Sequence, residues 1–578
     1  IADSEEEAIK LSMEAGLDME LHDFPHEVWQ SGIRNLVESG RMERSVLELA
    51  ARRILRTKML LGLFENPYTD VTRAPRILRC GEHLSLAEEI ARKSFVLLKN
   101  EDGMLPLSKD LNTVALIGPC ADTPMCGDYT HQVNKKNVVT LLEGIREKMP
   151  ELNVLYEEGC SFVGNVLKPF PTEMLKDEHG AQGLTGRYYN SPEPEGEPVF
   201  TRTDRMVSFG WAIRDAAGDL VPKVLGEEGY SVVWTGTLES PDTFDGYIGF
   251  AGEDSVKIYI DGELVLDCWG KNRFKDRMVP FSYVAGKAYD VRIEYTNDQQ
   301  GAFVRFGYRR SMEDFTGAVE AAKKAQVAIV CVGDSGETSG ENFDRADLNL
   351  PGNQLELVKA VYATGTPVVL VMQTGRPVTC LWEQKHIPAI LQCSFPAEKG
   401  GYAIADTLFG DNNPSGRLPM TYPRHVGQVP CHYTRRPGGG RRYVDMSWTP
   451  LYPFGYGLSY TRFEYRGLKL SAEKIAAGET VTASVTVANV GDRAGVAVPQ
   501  LYIRDWVSST VKPERYLCGF TRVELEPGEE KTVQITIGER SMRTLDPDYI
   551  WNVEPGRFTV YLGENCEKLY FEADFDVE

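Results

Sequence analysis

The sequence has 578 residues, of which 42% are hydrophobic and 25% are charged, so it is long enough to form several hydrophobic cores. Domains of about 100–200 residues predict three or four of them. The formal charge of −21 argues against nucleic acid and against an anionic membrane as partners, because both attract basic surfaces. No apolar stretch approaches the roughly 20 residues that span a bilayer.

The eleven cysteines are scattered singly, without a Cys-x-x-Cys pair or a Cys/His cluster at zinc spacing. We therefore expect neither a metal site nor a cofactor. Cys331 and Cys393 lie in apolar runs and are expected to be small buried hydrophobic residues. This usage favours a reducing compartment, and hence the cytoplasm. The sequence begins at Ile1 rather than at Met, which leaves export open.

Residues 1–70 have a helical pattern. Ser4 offers an N-cap for a helix that ends at Glu14, and a short apolar run, Leu17–Leu21, predicts a strand. Two more helices are predicted over Val28–Ser39 and Ser45–Leu61. These elements form no closed core of their own. They are interpreted as the last strand and helices of a (β/α)8 barrel.

Residues 80–175 and 312–425 alternate between helices and fully apolar strands. Continuous apolar strands separated by helices predict a mostly parallel sheet covered on both faces, that is, an α/β/α sandwich. The predicted strands are Phe95–Asn100, Val114–Pro119, Asn153–Tyr156, Val327–Val332, Val368–Met372 and Ala389–Gln392. The predicted helices are Ala87–Ser94, Val139–Lys148, Phe315–Ala325, Gln354–Thr364 and Gly401–Leu408.

Residues 180–310 interrupt this pattern with aromatic and β-branched runs, which predict an inserted β-sandwich. Turns are expected at Asp245-Gly246 and Asp261-Gly262. After a linker at 426–467, residues 468–578 alternate again and predict a second β-sandwich of about immunoglobulin size. The fold class is therefore multidomain, α/β plus all-β.

One carboxylate stands out in this framework. Glu341 lies on the loop that follows the apolar strand Val327–Val332 and its turn residues, Gly333 to Ser335. In open α/β sheets, binding and catalytic residues usually lie on loops that follow the carboxyl ends of the buried parallel strands. The alternative interpretation is an ordinary solvated loop glutamate.

Several longer motifs now point to a family. Ser94–Asn100 with Leu105-Pro106-Leu107, and later the runs Phe395–Gly401, Leu408–Pro419 and Pro453–Tyr460, occur in a fixed order. They resemble the second domain of family 3 glycoside hydrolases and its junction with a fibronectin-III-like domain. The inserted sandwich, notably Gly252–Gly262, resembles the anthrax protective antigen type. The resemblance covers essentially the whole chain.

The resemblance implies a retaining, exo-acting β-glycosidase that releases non-reducing terminal sugars by double displacement. In many members the acid/base is the glutamate of Glu-x-x-x-Arg before Leu-Pro-Gly, which is Glu341 to Arg345 here. Glu337 is the competing assignment. Asp344 and Arg345 are expected to shape the loop through an ion pair or backbone hydrogen bonds.

The family's nucleophile is an aspartate after strand seven of an N-terminal barrel, and no residue of this chain matches it. Asp3 fits a helix-cap role, and Asp18 matches the structural eighth strand. The barrel is therefore expected on a second polypeptide or a missing segment, without which this chain is expected to be inactive. A homo-oligomer is left open.

Three functions remain open under this resemblance. The insert favours a β-glucosidase by family analogy. A β-xylosidase of the same family is the first alternative. The second is a non-catalytic carbohydrate-binding or scaffold subunit that uses its two sandwiches. Asp254 and Asp261 are interpreted as turn residues rather than as calcium ligands.

Overall fold

A computed structural model describes most of the chain. The described residues are 2–21, 24–127, 129–130, 137–162, 167–210, 225, 229–252, 255–270, 277–297, 303–310, 314–336, 338–341, 343–438 and 442–578. The chain divides into two units, Ile1–His83 and Leu84–Glu578. Within the described ranges, no helix combines the length and the hydropathy needed to cross a membrane.

The first unit is helical. Its helices are α1 (Glu5–Glu14), α2 (His26–Glu38), α3 (Arg44–Leu60) and α4 (Ala74–Ile77). The Ser4 hydroxyl accepts a hydrogen bond from the backbone N–H of Glu7 at 3.2 Å. Ser4 therefore caps α1, and the cap role expected for Asp3 is wrong. The core of this unit is small and consists of Ile9, Met13, Leu36, Met42 and Ala50.

The strand predicted over Leu17–Leu21 is also wrong, because these residues are irregular. A lone strand needs a partner for its backbone hydrogen bonds, and the described part of this unit contains no other strand. Asp18 instead pairs with Arg53 at 3.1 Å, which agrees with a structural role.

Much apolar surface of this unit is exposed. Leu60 is 78% exposed and Tyr68 is 84% exposed. Other large apolar side chains that are more than half exposed are Met19, Leu21, Met59, Leu61, Phe64, Val71 and Leu78. Single exposed apolar side chains are ordinary, but clusters of this size mark interaction surfaces.

The second unit begins as an α/β structure. Helix α5 (Gly81–Ser94) leads to β1 (Val96–Asn100), β2 (Thr113–Ile117), α6 (Leu141–Lys148) and β3 (Asn153–Glu157). Thr140 begins α6 with a capping box: its hydroxyl accepts from the backbone of Glu143, whose carboxylate accepts from the backbone of Thr140. These elements match the predicted ones to within a few residues, except that α5 begins earlier than Ala87.

The chain then forms two antiparallel sheets. The strands are β4 (Lys168–Pro169), β5 (Leu175–Lys176), β6 (Leu184–Tyr189), β7 (Phe200–Asp204), β8 (Ser208–Gly210), β9 (Tyr230–Glu239), β10 (Phe244–Gly252), β11 (Ser255–Ile260), β12 (Glu263–Asp267), β13 (Arg277–Tyr283), β14 (Ala288–Asn297) and β15 (Phe303–Arg310). The strand order in the first sheet is β13-β10-β15-β4, with β8 also paired to β15, and in the second it is β12-β11-β14-β9-β6-β7, with β5 also paired to β9. Their shared core is aromatic and contains Tyr188, Trp234, Tyr283, Tyr295 and Phe306.

Two details of this β region differ from expectation. The turn predicted at Asp245-Gly246 is wrong, since both residues lie inside β10. A Cβ on Gly246 would lie 2.2 Å from the carbonyl oxygen of Arg309, so the glycine allows the neighbouring strand to come this close. The turn at Asp261-Gly262 is confirmed, and Asp254 lies outside the described residues. The β region also begins at β4, before residue 180.

The α/β pattern resumes with α7 (Thr316–Lys324), β16 (Val327–Gly333), α8 (Gln354–Tyr362), β17 (Val368–Gln373), α9 (Leu381–His386), β18 (Ala389–Gln392) and α10 (Gly400–Leu408). The sheet order is β1-β18-β17-β16-β2-β3, and all pairs are parallel except that of β1 with β18. Every residue of β16 is buried. Cys331 in β16 and Cys393 directly after β18 are buried, as predicted, and all eleven cysteines are free thiols.

The sequence did not predict α9, which carries a buried carboxyl group. Glu383 is 2% exposed, and burial raises its pKa from an ordinary 4.5 to about 7, with partial opposition from the ammonium group of Lys359. The protonated form of Glu383 therefore stabilises the folded chain. That stabilisation is complete below about pH 4.5 and is lost as the pH rises through about 7.

We expect Glu383→Gln to remove this pH dependence, because glutamine stays neutral. The unfolding free energy of the variant minus that of the wild type should be about 2–3 kcal/mol larger at pH 8 than at pH 5. Thermal or urea unfolding of both proteins at the two pH values measures this. If the two proteins differ in unfolding free energy by the same amount at pH 5 and at pH 8, the assignment of this pH dependence to Glu383 is contradicted.

The chain ends in an all-β part. Its strands are β19 (Phe463–Leu470), β20 (Lys474–Ile475), β21 (Val481–Asn489), β22 (Gly495–Ala497), β23 (Gln500–Asp505), β24 (Tyr516–Phe520), β25 (Val523–Leu525), β26 (Glu530–Ile537), β27 (Thr544–Leu545), β28 (Trp551–Asn552), β29 (Gly556–Gly563) and β30 (Leu569–Val577), with α11 (Glu539–Met542) before β27. Sheets β19-β21-β26 and β20-β30-β29-β23-β24 enclose a common core. The predicted second sandwich is thus present, although its first strand begins at Phe463.

Candidate active site

The candidate site is the loop between β16 and α8, at the carboxyl end of a central strand of the six-stranded sheet. The structure describes residues 334–336, 338–341 and 343–353 of this loop. Glu337, the competing candidate, lies outside the described residues. The geometry below therefore concerns Glu341 and the residues that hold its segment.

The loop is built around Asp334, which is 0% exposed. One carboxylate oxygen of Asp334 accepts hydrogen bonds from the Thr338 hydroxyl at 3.1 Å and from the Arg345 guanidinium at 3.2 Å. The other accepts from the backbone N–H of Gly375 at 3.1 Å. A buried carboxylate needs such partners, and here they join the two ends of the loop to each other and to the turn after β17.

Arg345 is the second anchor of the loop. Besides its ion pair with Asp334, its guanidinium donates to the backbone carbonyl of Asn349. The prediction that Arg345 shapes the loop through an ion pair and backbone hydrogen bonds is confirmed. Asp344 is exposed, and its predicted role stays a prediction.

A second arginine, Arg376, fastens the backbone on both sides of Glu341. It donates to the carbonyl oxygen of Thr338 at 3.0 Å and to that of Phe343 at 3.3 Å. The backbone N–H of Phe343 also donates to Gly340 at 3.3 Å, so Glu341 sits in a tight turn. The turn presents Glu341 at the surface.

A cavity of about 730 Å³ lies beside this loop, within the range of small-molecule sites. Gly375 and Arg376, which both hold the loop, belong to its lining together with Phe395. A Cβ on Gly375 would lie 2.4 Å from the Ser339 hydroxyl oxygen and 3.0 Å from the Phe395 ring, so the loop and the cavity wall are in close contact. The described residues contain no His, Cys, Asp and Glu group suited to a metal ion.

Asp334, Gly375 and Arg376 were not predicted as site residues. From the sequence, Asp334 is expected to be one of the turn residues that end β16, because an aspartate after a strand is most often a solvated turn residue. Gly375 lies 41 residues after Asp334, with Arg376 next to it, and only the pairing of β16 with β17 brings them to the loop. The one available signal was the position of Asp334 directly after an entirely apolar strand.

Comparison with known proteins identifies the family of the chain. Residues 95–460 match the model of the glycosyl hydrolase family 3 C-terminal domain, and residues 497–566 match that of the fibronectin type III-like domain. The chain belongs to glycosyl hydrolase family 3. The first match contains the whole six-stranded sheet and the Glu341 loop.

Relatives of this family 3 chain include the periplasmic β-glucosidase of Salmonella typhimurium, which is 30% identical over 98% of this chain and 59% of its own length. A β-xylosidase of Formosa agariphila is 44% identical over 44% of this chain and 36% of its own length. The crystal structure of a β-glucosidase from Kluyveromyces marxianus matches with a TM-score of 0.78 and 25% identity, over 99% of this chain and 72% of that one. The family 3 chain thus spans well under two thirds of the Salmonella enzyme.

Proposed function

We propose that this chain supplies Glu341 as the acid/base of a retaining, exo-acting β-glycosidase, and that the enzyme is a β-glucosidase. The observation that carries the proposal is the loop itself: Glu341 is presented at the carboxyl end of β16 in a turn fastened by Arg376 and anchored by Asp334 and Arg345. General acid catalysis requires a carboxyl group held in one place against the departing oxygen.

The second carboxylate of the reaction is the nucleophile, which we propose lies on a barrel formed mostly outside this sequence. Residues 1–70 would then be the last helices of that barrel. Their exposed apolar side chains, such as Leu60 and Tyr68, support this proposal, since a barrel needs apolar partners for its helices. The additional length of the Salmonella relative is sufficient for such a segment.

We further propose that the β region from β4 to β15 is an inserted domain of the protective-antigen type. The chain leaves the six-stranded sheet after β3 and returns to it at β16, which pairs with β2. The aromatic core of the β region is separate from the cores on the two faces of that sheet. Both features are those of one domain inserted into another.

The proposed function is tested by hydrolysis of 4-nitrophenyl β-D-glucoside and β-D-xyloside by the full-length protein, or by the two-chain complex if the barrel is a separate chain. We expect kcat/KM to favour the glucoside by about 10-fold or more, because one additional substrate group in a fitted pocket changes the rate by about that factor. Preference for the xyloside would favour the second candidate, a β-xylosidase, which the 44% identical relative supports.

Two other outcomes would contradict parts of the proposal. No hydrolysis of either glycoside by the assembled protein would favour a non-catalytic binding subunit. Full activity of a single purified band of 578 residues would contradict the proposal that the nucleophile lies on another segment.

A further inference from the structure

A second cavity lies far along the chain from the Glu341 loop. We call it the linker cavity. It has a volume of about 660 Å³ and lies between residues of the segments 421–436 and 443–453 and the C-terminal sandwich, which contributes Val511, Pro513, Cys566 and Glu567. Its volume is sufficient for a small organic molecule. Neither family match assigns a role to this cavity.

The charge of the linker cavity is opposite to that of the chain. Arg435 and Arg436 line it, and Glu567 is the one carboxylate among its lining residues. Arg435 approaches Glu567 only to 3.8 Å, and Arg436 has no ion pair within the described part of the chain. In a chain with a net charge of −21, a cavity with an excess of guanidinium groups favours an anionic ligand.

The cavity wall is also aromatic. Trp448 is 47% exposed, and the Arg435 guanidinium lies 4.5 Å from the centroid of its ring. Tyr443 and Tyr433 are further lining residues. Aromatic rings next to polar groups provide the faces on which the apolar side of a sugar ring packs, and guanidinium groups bind carboxylates through two parallel hydrogen bonds.

Part of this wall is held in place by the surrounding structure. The Gln428 amide donates to the backbone carbonyls of Ser447, Trp448 and Thr449, each at 3.3 Å. Tyr433 stacks on Phe454 with 4.0 Å between ring centroids, and its hydroxyl accepts from the backbone of Leu517 at 3.3 Å. A wall that is fixed before the ligand arrives reduces the entropy cost of binding.

We infer that the linker cavity binds a saccharide unit that carries a carboxylate, such as a uronic acid. Its carboxylate would pair with Arg435 and Arg436, and its ring would pack against Trp448. This inference does not depend on the role of Glu341, because it concerns binding and no hydrolytic step.

Calorimetric titration of the full-length protein with sodium D-glucuronate tests the inference, with D-glucose and sodium acetate as the matched ligands. We expect glucuronate to bind at least about 10-fold more tightly than either, because glucose lacks the carboxylate and acetate lacks the sugar ring. Arg436→Ala should weaken glucuronate binding by about 10-fold or more. Arg540→Ala is the matched control, since Arg540 is an exposed arginine of the same half of the chain that does not line the cavity.

Four results would overturn the inference. They are no binding of glucuronate, equal affinity for glucose, equal affinity for acetate, and equal loss in the Arg436 and Arg540 variants. Circular dichroism of both variants verifies folding. Trp448→Ala keeps both arginine side chains but removes the ring against which the Arg435 guanidinium lies, and it should also weaken glucuronate binding.

Discussion

Replacing Glu341 by alanine is expected to lower kcat/KM about 10²–10⁴-fold for a substrate with a poor leaving group, such as cellobiose. The reason is that an alkoxide departs slowly unless an acid protonates its oxygen. For 2,4-dinitrophenyl β-D-glucoside, whose leaving group needs no proton, kcat/KM should fall far less. Steady-state kinetics of the full-length protein on both substrates measures this contrast.

Glu337→Ala is the matched control, four residues away in the same loop. We expect it to keep the ratio of the two kcat/KM values close to that of the wild type. If the leaving-group dependence instead follows Glu337, the acid/base assignment belongs to Glu337. Unchanged kinetics in both variants would favour the interpretation of Glu341 as an ordinary loop residue.

Replacing Asp334 by alanine has the second large expected effect. The change leaves the Arg345 guanidinium, whose side chain is 16% exposed, without its buried counter-charge, and it leaves the Gly375 N–H without its acceptor. As a donor, the Thr338 hydroxyl keeps only its longer contact, to the backbone carbonyl of Ser335 at 3.4 Å. Loss of one partner of a buried ion pair costs about 3–5 kcal/mol. Because the same carboxylate anchors the loop, kcat should fall together with stability. Urea unfolding and kinetics of the same preparations measure both.

Asp411→Asn provides the control for the Asp334 variant. Asp411 also forms an ion pair, with Lys109, but both side chains are more than half exposed. Exposed pairs of this kind contribute about 0–1 kcal/mol. Similar losses for the two variants would contradict the view that burial makes Asp334 the anchor of the loop.

The sheet was predictable because its strands are continuous apolar runs, and the run from Val327 to Val332 admits few other interpretations. The strand predicted at Leu17–Leu21 was wrong because local alternation carries no information on whether a partner strand is nearby. The turn predicted at Asp245-Gly246 was wrong for a related reason. The glycine there allows two strands to lie close together, and that contact depends on the fold of the whole β region.

The candidate site was only half predictable. The family resemblance indicated the Glu341 loop, and Arg345 was expected to shape that loop, which its ion pair with Asp334 confirms. The partner in that ion pair, Asp334, has the same sequence appearance as a solvated turn residue. Burial distinguishes the two, and burial follows from packing against β17 and the turn after it.

The assignment of Glu341 is tested most directly by the product that its alanine variant forms in the presence of sodium azide. In a retaining mechanism, azide replaces the base-activated water and attacks the glycosyl-enzyme from the side that Glu341 occupied. The account therefore predicts faster turnover with azide and a β-glucosyl azide product, identified by NMR. An α-glucosyl azide, or turnover that azide does not change, would contradict it.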